Sequence, residues 1–272
     1  MRSNKAAPPT GFLLQSRPWQ VNRRVLGALL MREMLTRYGR NNIGFLWLFL
    51  EPMLFTFAVT GFWKLTRAVH GSDIPIAAFA LTGYSSVLLW RNMVGRCINA
   101  VLTNKSLLYH RQVTITDVYF ARVILEILSV STSFVALGIA LYFLGWLPAP
   151  EDPLKVLYGW IASCWFGAAL ALTVGGLSEK VSIVGRLWPP FQFILFAFSG
   201  VGFLLDALPP SMRDILMWLP MVNTLEFLRD GWFGSVFVAH YDMDFAIVVS
   251  LVLTFVGLSL VRQVGLETSE DE

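Results

Sequence analysis

Long apolar segments alternate along the chain with short polar ones. Each apolar segment has about the 20 residues that a helix needs to cross the hydrocarbon layer of a membrane. None shows the two-residue alternation that is typical of strands in a transmembrane barrel. The pattern therefore predicts an all-α, polytopic membrane protein with six transmembrane helices. They are expected at about 43–64, 75–96, 117–144, 154–177, 181–204 and 243–262.

The segment at about 205–235 is also apolar, but it is interrupted by Pro209, Pro210 and Pro220. Its uninterrupted pieces are about nine and twelve residues long, and at about 1.5 Å per residue neither reaches across a bilayer. We therefore expect two short re-entrant helices between the fifth and sixth spans. The alternative is a membrane-surface loop that carries amphipathic helices.

The composition supports a membrane protein. Apolar residues make up 56% of the 272 positions and charged residues 14%, whereas a soluble domain carries about 25% charged residues. The mean hydropathy is +0.61. These values exclude an ordinary soluble enzyme, a disordered chain and a disulfide scaffold.

Lysine and arginine are divided unequally between the two sides of the predicted topology. When both chain ends are placed on one side, that side holds 16 of the 21 basic residues and the other side holds five. By the positive-inside rule, both termini are expected in the cytoplasm. Residues 1–42 are assigned to a cytoplasmic N-terminus with no cleaved signal peptide, and residues 43–272 to the transmembrane domain.

Residues 20–40 predict a basic amphipathic helix that lies in the plane of the cytoplasmic interface. One stripe of this helix is apolar and consists of Ala28, Met31, Leu35 and Tyr38. The helix is either a simple anchor to anionic lipid or a gate for an amphiphilic substrate that enters from the cytoplasmic leaflet. In the second case, Arg37 and Arg40 would attract the phosphate group of the substrate.

The segment 97–112 is too polar to span the membrane. A short helix here would present an apolar bump with a basic rim below the membrane, which is a surface suited to a soluble partner. A tight solvated loop is the alternative. The candidate contact residues are Asn104, Lys105, Leu107, Leu108, Tyr109 and Arg111.

The sequence contains no motif for catalysis or metal binding. A G-x-x-x-x-G-K-[ST] phosphate loop is missing. His70, His110 and His240 are isolated from one another, and Cys97 and Cys164 lack the spacing of metal ligands. No catalytic residue, metal site or bound cofactor is therefore predicted. If the protein is a transporter, it must therefore take its energy from another protein, because it has no ATP-binding motif of its own.

Two segments resemble motifs of the ABC-2 type permeases. The first, from Arg37 to Pro52, passes from a basic interface helix through Arg-Tyr and a Gly-x-Leu-Trp step into a first span that contains proline. The second, from Leu219 to Gly231, resembles the pattern P-x-x-N-P-x-x-x-x-E-x-x-R, with Thr224 in place of the usual second proline and a shorter spacing to the glutamate. The resemblance covers essentially the whole chain.

The segment 198–203, Phe-Ser-Gly-Val-Gly-Phe, points to the polysaccharide-exporting branch, as in the capsular polysaccharide export permeases of Gram-negative bacteria. The resemblance implies a homodimer in the inner membrane, with two copies of a separate cytoplasmic ABC ATPase that binds ATP and magnesium. It also implies a coupling helix within 97–112, between spans two and three, and re-entrant helices before span six.

The implied substrate is lipid-linked capsular polysaccharide. A periplasmic co-polymerase and an outer-membrane export protein are the further partners expected, and nucleic acid is not. Export of lipid-linked O-antigen or of teichoic acid is the alternative within transport. Outside transport, the alternatives are a membrane-embedded glycosyl- or acyltransferase and a receptor or scaffold subunit.

A polysaccharide needs a path that offers hydrogen bonds or stacking, because burial of an unpaired hydroxyl in hydrocarbon costs roughly 2–7 kcal/mol. Aromatic rings stack on sugar faces, and arginine binds phosphate. The alternatives are an aromatic belt at the interfaces and arginines that snorkel to the membrane surface. The candidate path residues are Trp47, Trp63, Tyr84, Trp90, Trp165, Trp188, Arg91, Arg96 and Arg186.

Two pairs of opposite charges have helical spacing. Arg122 and Glu126 are four residues apart in the third span and are predicted to form an ion pair. Glu226 and Arg229 are three residues apart and are predicted to pair and hold the re-entrant helix closed over the exit path. Exchange of these last two charges is then expected to restore part of the lost export. The alternative is that Glu226 and Arg229 are surface charges, whose interaction contributes at most about 1 kcal/mol to stability.

Overall fold

The computed structural model describes residues 18–38, 53–54, 57–58, 74–104 and 113–270. Within these ranges all regular structure is helical, which confirms the predicted all-α class. Two 3-10 turns, Leu205–Ala207 and Gly234–Val236, lie before and after the two short helices at 210–216 and 220–233. The α-helices are α1 (Pro18–Tyr38), α2 (Ile76–Cys97), α3 (Ala100–Thr103), α4 (Ile115–Phe143), α5 (Pro153–Lys180), α6 (Ser182–Phe198), α7 (Pro210–Leu216), α8 (Pro220–Phe233) and α9 (Met243–Glu270).

Three of these helices are long and apolar enough to cross a membrane: α4, α5 and the part of α9 from Met243 to Leu266. Helix α6 is apolar but has 17 residues. Helix α2 has 22 residues, of which 17 are buried by the rest of the protein. The predicted second, third, fourth and sixth spans coincide with α2, α4, α5 and α9. The predicted first span, 43–64, lies outside the described residues except for four positions.

The predicted fifth span, 181–204, ends earlier in the structure than in the sequence-based prediction. Helix α6 stops at Phe198, where Ser199 caps it. Gly200 follows with a φ of +81°, a left-handed conformation that glycine adopts readily because it has no Cβ. The chain then turns back toward α7 and α8.

Polar side chains define where the long helices begin. Asp117 and Thr114 form a capping box at the start of α4, which satisfies two backbone N–H groups that lack helical partners. Asp152 accepts hydrogen bonds from the backbone N–H groups of Leu154 and Lys155, each at 3.0 Å, at the start of α5. Asp242 accepts one from the backbone N–H of Phe245 at 2.9 Å at the start of α9.

Helix α5 lies at the centre of the bundle and packs against α2, α8 and α9. Glycines on α5 allow the close approach. A Cβ at Gly159 would lie 2.9 Å from the Cα of Leu228 on α8, one at Gly167 would lie 3.2 Å from the Cα of Trp90 on α2, and one at Gly176 would lie 2.9 Å from the Cβ of Leu260 on α9. Small residues at such contacts let helix backbones pack closely.

The segment between α6 and α9 contains two short helices, as predicted. Helix α7 has seven residues and α8 has 14. Twelve residues of α8 are buried, because the helix lies against α2, α5 and α9. Helix α8 is therefore an internal part of the bundle and not a helix on a surface loop.

Candidate functional site

The short helix α3 lies where four longer helices meet, at the end of the bundle that is predicted to face the cytoplasm. The buried amide of Asn104 links α3 to α1. Its Nδ2 donates to the carbonyl of Ala100 at 3.0 Å, and its Oδ1 accepts from Arg32 Nη1 at 3.0 Å. Asn104 therefore joins two elements of the subunit. The other predicted contact residues in this segment lie outside the described residues: Lys105, Leu107, Leu108, Tyr109 and Arg111.

Arg122 on α4 contacts three other elements at this junction. Its guanidinium donates to Glu33 Oε1 of α1 at 3.2 Å, to Thr103 Oγ1 of α3 at 2.8 Å, and to the backbone carbonyl of Arg96 at the end of α2. Glu126 instead pairs with Arg96, with 3.4 Å between Oε1 and Nε. The predicted Arg122–Glu126 pair is wrong, because neighbouring helices bring better-placed partners to each side chain.

A glutamate that the sequence analysis did not single out completes the junction. Glu179, near the end of α5, accepts a hydrogen bond from the backbone N–H of Val101 at 3.2 Å. Val101 lies in the first turn of α3, where N–H groups have no partner within the helix. In the sequence, Glu179 is marked as a candidate by its position beside Lys180 at the end of an apolar helix.

A buried ion pair on α8 faces the turn that follows α6. Arg229 is fully buried and Glu226 nearly so, and Arg229 Nη1 is 3.9 Å from Glu226 Oε1. The same Nη1 donates to the carbonyls of Gly200 at 2.8 Å and Phe203 at 2.9 Å. The predicted pairing of these two residues is confirmed. Its hydrogen bonds to the 200–203 turn were not predicted from the sequence.

The guanidinium of Arg229 is also held by α2. It lies 4.0 Å from the centre of the Phe79 ring, a distance at which a cation is attracted to an aromatic face. Glu226 Oε1 accepts from the backbone N–H of Leu205 at 3.3 Å. The pair thus fixes the end of α6, the start of α2 and α8 relative to one another. Three backbone carbonyls, of Gly200, Val201 and Phe203, and the Glu226 carboxylate surround the buried guanidinium and stabilise its charge.

Helix α8 is joined to the starts of α5 and α9 by further polar contacts. Asp230 pairs with Lys155 and accepts a hydrogen bond from the Tyr241 hydroxyl at 3.0 Å. Asn223 donates to the carbonyl of Met217 at 2.7 Å and accepts from the backbone N–H of Asp242 at 2.8 Å. These contacts hold α7, α8 and α9 at fixed angles.

Comparison with known proteins agrees with this architecture. Residues 24–233 match the family model described as ABC-2 type transporter. The chain belongs to the ABC-2 type transporter family. The matched region begins in α1 and ends at the last residue of α8, and so it contains both the junction around α3 and the buried Glu226–Arg229 pair.

Curated relatives cover nearly the whole ABC-2 chain. It is 40% identical over 239 residues to the capsule polysaccharide export inner-membrane protein BexB of Haemophilus influenzae, covering 88% of this chain and 90% of that protein. It is 39% identical over 243 residues to CtrC, a protein of the same description from Neisseria meningitidis, covering 89% and 92%. It is 25% identical over 248 residues to the polysialic acid transport protein KpsM of Escherichia coli, covering 90% and 95%.

The candidate path residues of this ABC-2 subunit are distributed over several helices. Tyr84, Trp90 and Trp188 are buried within the subunit. Trp165 is partly exposed on α5 and donates from Nε1 to the Thr254 hydroxyl at 3.1 Å. Of the basic candidates, Arg91 is partly exposed, and Arg96 and Arg186 are exposed. The remaining path candidates, or their side chains, lie outside the described part of the chain: Arg37, Arg40, Trp47 and Trp63.

An open groove of about 840 Å³ lies between α4 and α5 at the ends joined by the turn 144–152. Its walls are apolar, with the stacked rings of Phe134 and Trp160, 4.2 Å apart between centroids, and with Trp232. The hydroxyl of Ser131 accepts a hydrogen bond from Trp160 Nε1 at 2.9 Å. Such walls cannot satisfy the hydroxyls of a glycan, and the groove is therefore not a suitable polysaccharide path.

Proposed function

We propose that this protein is the membrane subunit of an ATP-driven exporter that moves capsular polysaccharide, in a lipid-linked form, across the bacterial inner membrane. The observation that carries the proposal is the 40% identity to a capsule polysaccharide export inner-membrane protein over 88% of the chain. The chain is a transport component, as are membrane subunits of the ABC-2 family, and ATP and magnesium bind to a separate partner.

The partner is a cytoplasmic ABC ATPase, present in two copies, which docks at the end of the bundle that carries α3. Leu102 supports this docking surface because its side chain is 69% exposed on α3 and is available for an apolar contact with a partner. The basic residues around α3, among them Arg96 and Arg122, support a cytoplasmic position for this end by the positive-inside rule. In this proposal both termini are on the same side.

The polysaccharide path is formed between two copies of the subunit. The groove between α4 and α5 is too apolar for a glycan, and the described bundle is filled by apolar and glycine packing. Helix α6 has the surface that a second copy requires, since Trp188 is its only buried residue and Arg186 is exposed. Arg186 near the cytoplasmic end then faces an acidic or phosphate-bearing substrate.

The lipid end of the substrate enters beside α1. Met31 and Leu35 are 59% and 60% exposed on one face of α1, and this apolar face suits the edge of a lipid leaflet. In this proposal, the basic residues Arg37 and Arg40 attract the phosphate of the substrate. Helices α7 and α8 re-enter the outer leaflet and close the exit through the Glu226–Arg229 pair. A periplasmic co-polymerase and an outer-membrane export protein receive the polysaccharide.

Deletion of the gene in its native host tests the substrate. The proposal expects capsular polysaccharide to accumulate inside the cell and to disappear from the surface, with recovery when the wild-type gene is returned. Loss of O-antigen or teichoic acid from the surface, with capsule unchanged, would assign the alternative cargo. Unchanged surface glycans of all three kinds would exclude polysaccharide export.

A further inference from the structure

Helix α1 is tied to α3 through two consecutive side chains. Arg32 donates to Asn104 Oδ1 at 3.0 Å. Glu33 accepts from Arg122 at 3.2 Å, and Arg122 in turn donates to Thr103 Oγ1 at 2.8 Å. The two routes end at Thr103, the last residue of α3, and at Asn104, which caps it. Helix α1 therefore cannot shift relative to α3 without breaking charge-assisted hydrogen bonds in both.

Arg122 is the residue on which the second route depends. Its side chain is 11% exposed and lies between α1, α2 and α3 while belonging to α4. A guanidinium offers five N–H donors in a planar fork, so it can hold acceptors from three elements at once. A lysine has the same charge but lacks this geometry, and it would not hold Glu33, Thr103 and the Arg96 carbonyl together.

The face of α1 that contacts the bundle carries Arg32 and Glu33 together with the buried Leu29. Arg32 and Glu33 point toward α3 and α4, whereas Met31, Met34 and Leu35 are exposed on the other side. The contact of α1 with the bundle is made mainly with α4, the helix that carries Arg122. The hydrogen bonds of Arg32 and Glu33 thus orient α1 together with the packing of Leu29.

We propose that Arg122 is a positioning residue that makes α1 and α3 move as one unit, so that movement of α3 caused by the ATPase is passed to the helix beside which the substrate enters. This inference rests on the proposed function, in which α3 contacts the ATPase. It adds a specific route: movement of α3 reaches α1 through Arg122 of α4, which holds Thr103 and Glu33 together.

The test compares export with ATP hydrolysis in the full complex. The variants are Arg122→Gln, Arg122→Lys, Glu33→Gln and the double variant Glu33→Gln/Arg122→Gln. Arg262→Gln, at an exposed position on α9, is the matched control. Three quantities are measured for each variant. They are export in cells, the amount of ATPase that copurifies with the subunit, and the rate of ATP hydrolysis by the purified complex.

The expected result is that Arg122→Gln, Arg122→Lys and Glu33→Gln each lower export by roughly 5- to 150-fold, the range of a typical coupling between two sites. ATPase recovery and ATP hydrolysis stay at the wild-type level. The double variant is no worse than Arg122→Gln alone, because residues in one network are not additive. The Arg262→Gln control exports normally.

A distance measurement distinguishes positioning from general support of the fold. Spin labels are placed at Gly27→Cys on α1 and Leu102→Cys on α3, both exposed positions, while the native Cys97 and Cys164 are buried. The measurement is made on the full-length subunit without its ATPase, because Leu102 lies on the proposed docking surface. The wild-type background is expected to give one narrow distance. In the Arg122→Gln background the distance distribution is expected to broaden, while the protein elutes as a normal folded species.

Three results would overturn the inference: normal export by Arg122→Gln, a loss of copurifying ATPase that matches the loss of export, or an unchanged distance distribution. A different result would count against the proposed function itself. If the wild-type subunit neither binds an ATPase nor supports export, then the assignment as an exporter subunit fails before the role of Arg122 is reached.

Discussion

The guanidinium of Arg229 occupies the space that the absence of a side chain at Gly83 leaves open. A Cβ at Gly83 would lie 2.7 Å from Arg229 Nη2 and 3.1 Å from the carbonyl oxygen of Val201. Gly83 lies on α2 and Arg229 on α8, so the contact brings together two helices that are far apart in sequence. The buried charge depends on this glycine.

Gly83→Ala is therefore expected to destabilise the protein, because the added methyl group displaces a fully buried guanidinium or the backbone of Val201. The expected cost is about 1–3 kcal/mol, as for other overpacked core sites. Thermal unfolding of the detergent-solubilised protein is the measurement. Gly27→Ala, in a helix with nothing within 4 Å, is the control and is expected to leave the midpoint unchanged or raise it slightly. Equal midpoints for the two variants would contradict the packing described here.

Exchange of the charges at 226 and 229 is expected to fail as a rescue. The sequence alone predicts that a swap restores the pair, but the structure places three backbone carbonyls, of Gly200, Val201 and Phe203, around the Arg229 guanidinium. A glutamate at 229 would face these acceptors without a donor. Removal of one partner of a buried pair costs about 3–5 kcal/mol, and the swap is expected to be no more stable than Arg229→Gln.

The measurement is the yield of folded, monodisperse protein together with export in cells. Glu226→Gln is the matched comparison, because its amide keeps an acceptor for the Leu205 N–H and is expected to be milder than any change at Arg229. Recovery of folded protein and export by the swapped variant would instead indicate a simple exchangeable ion pair.

The elements that hydropathy predicts best are those with the longest apolar runs. Helices α4, α5 and α9 follow directly from the sequence pattern, since a span of about 20 apolar residues has few other structures. The burial of α2 does not follow from it, because apolar residues that face lipid and apolar residues that face other helices look alike in sequence. The early end of α6 depends on the backbone of Gly200, which hydropathy does not detect.

In the candidate site, too, some contacts can be predicted from the sequence and others cannot. Glu226 and Arg229 were predicted to pair because they are three residues apart, and local spacing is visible in a sequence. Arg122 was assigned a local partner for the same reason, but its actual carboxylate partner, Glu33, is 89 residues away. Likewise, Phe79 is 150 residues from Arg229. Contacts of this kind depend on how the helices are arranged, which spacing along one helix does not determine.

Leu102 on α3 is expected to matter for ATPase docking. Leu102→Glu places a charge on a side chain that is 69% exposed, so it should leave the fold intact while weakening an apolar contact with the partner. Val238→Glu, at a position 63% exposed in the segment between α8 and α9, is the control. The measurement is ATPase recovered per purified subunit. Equal recovery for the two variants would remove α3 from the docking surface.

Cysteine labelling is expected to separate three environments within residues 205–240. A cysteine at 238 should react with a membrane-impermeant maleimide added to the periplasmic side, because this position is exposed near the start of α9. A cysteine at 228 should not react, because Leu228 is fully buried. A cysteine at 215 is the informative one. Ile215 is 69% exposed on α7, and re-entry into the outer leaflet predicts that it is shielded by lipid.

Reaction at 215 in intact membranes, at the rate found for 238, would place α7 in water at the membrane surface. Labelling in detergent supplies the control, since position 215 should become reactive once lipid is replaced, while position 228 stays unreactive in the folded protein.

Transport by the purified complex in lipid vesicles tests the central claim most directly. The subunit and its ATPase are reconstituted together, capsular polysaccharide with its lipid end is supplied on the ATPase side, and the polysaccharide protected inside the vesicles is measured. We expect protection that requires ATP, magnesium and both proteins, and that is lost when the subunit carries Leu102→Glu. Two results would contradict the assignment of this chain as the membrane subunit of a capsular polysaccharide exporter. One is protection that does not require the ATPase, and the other is a lack of protection while the intact complex hydrolyses ATP.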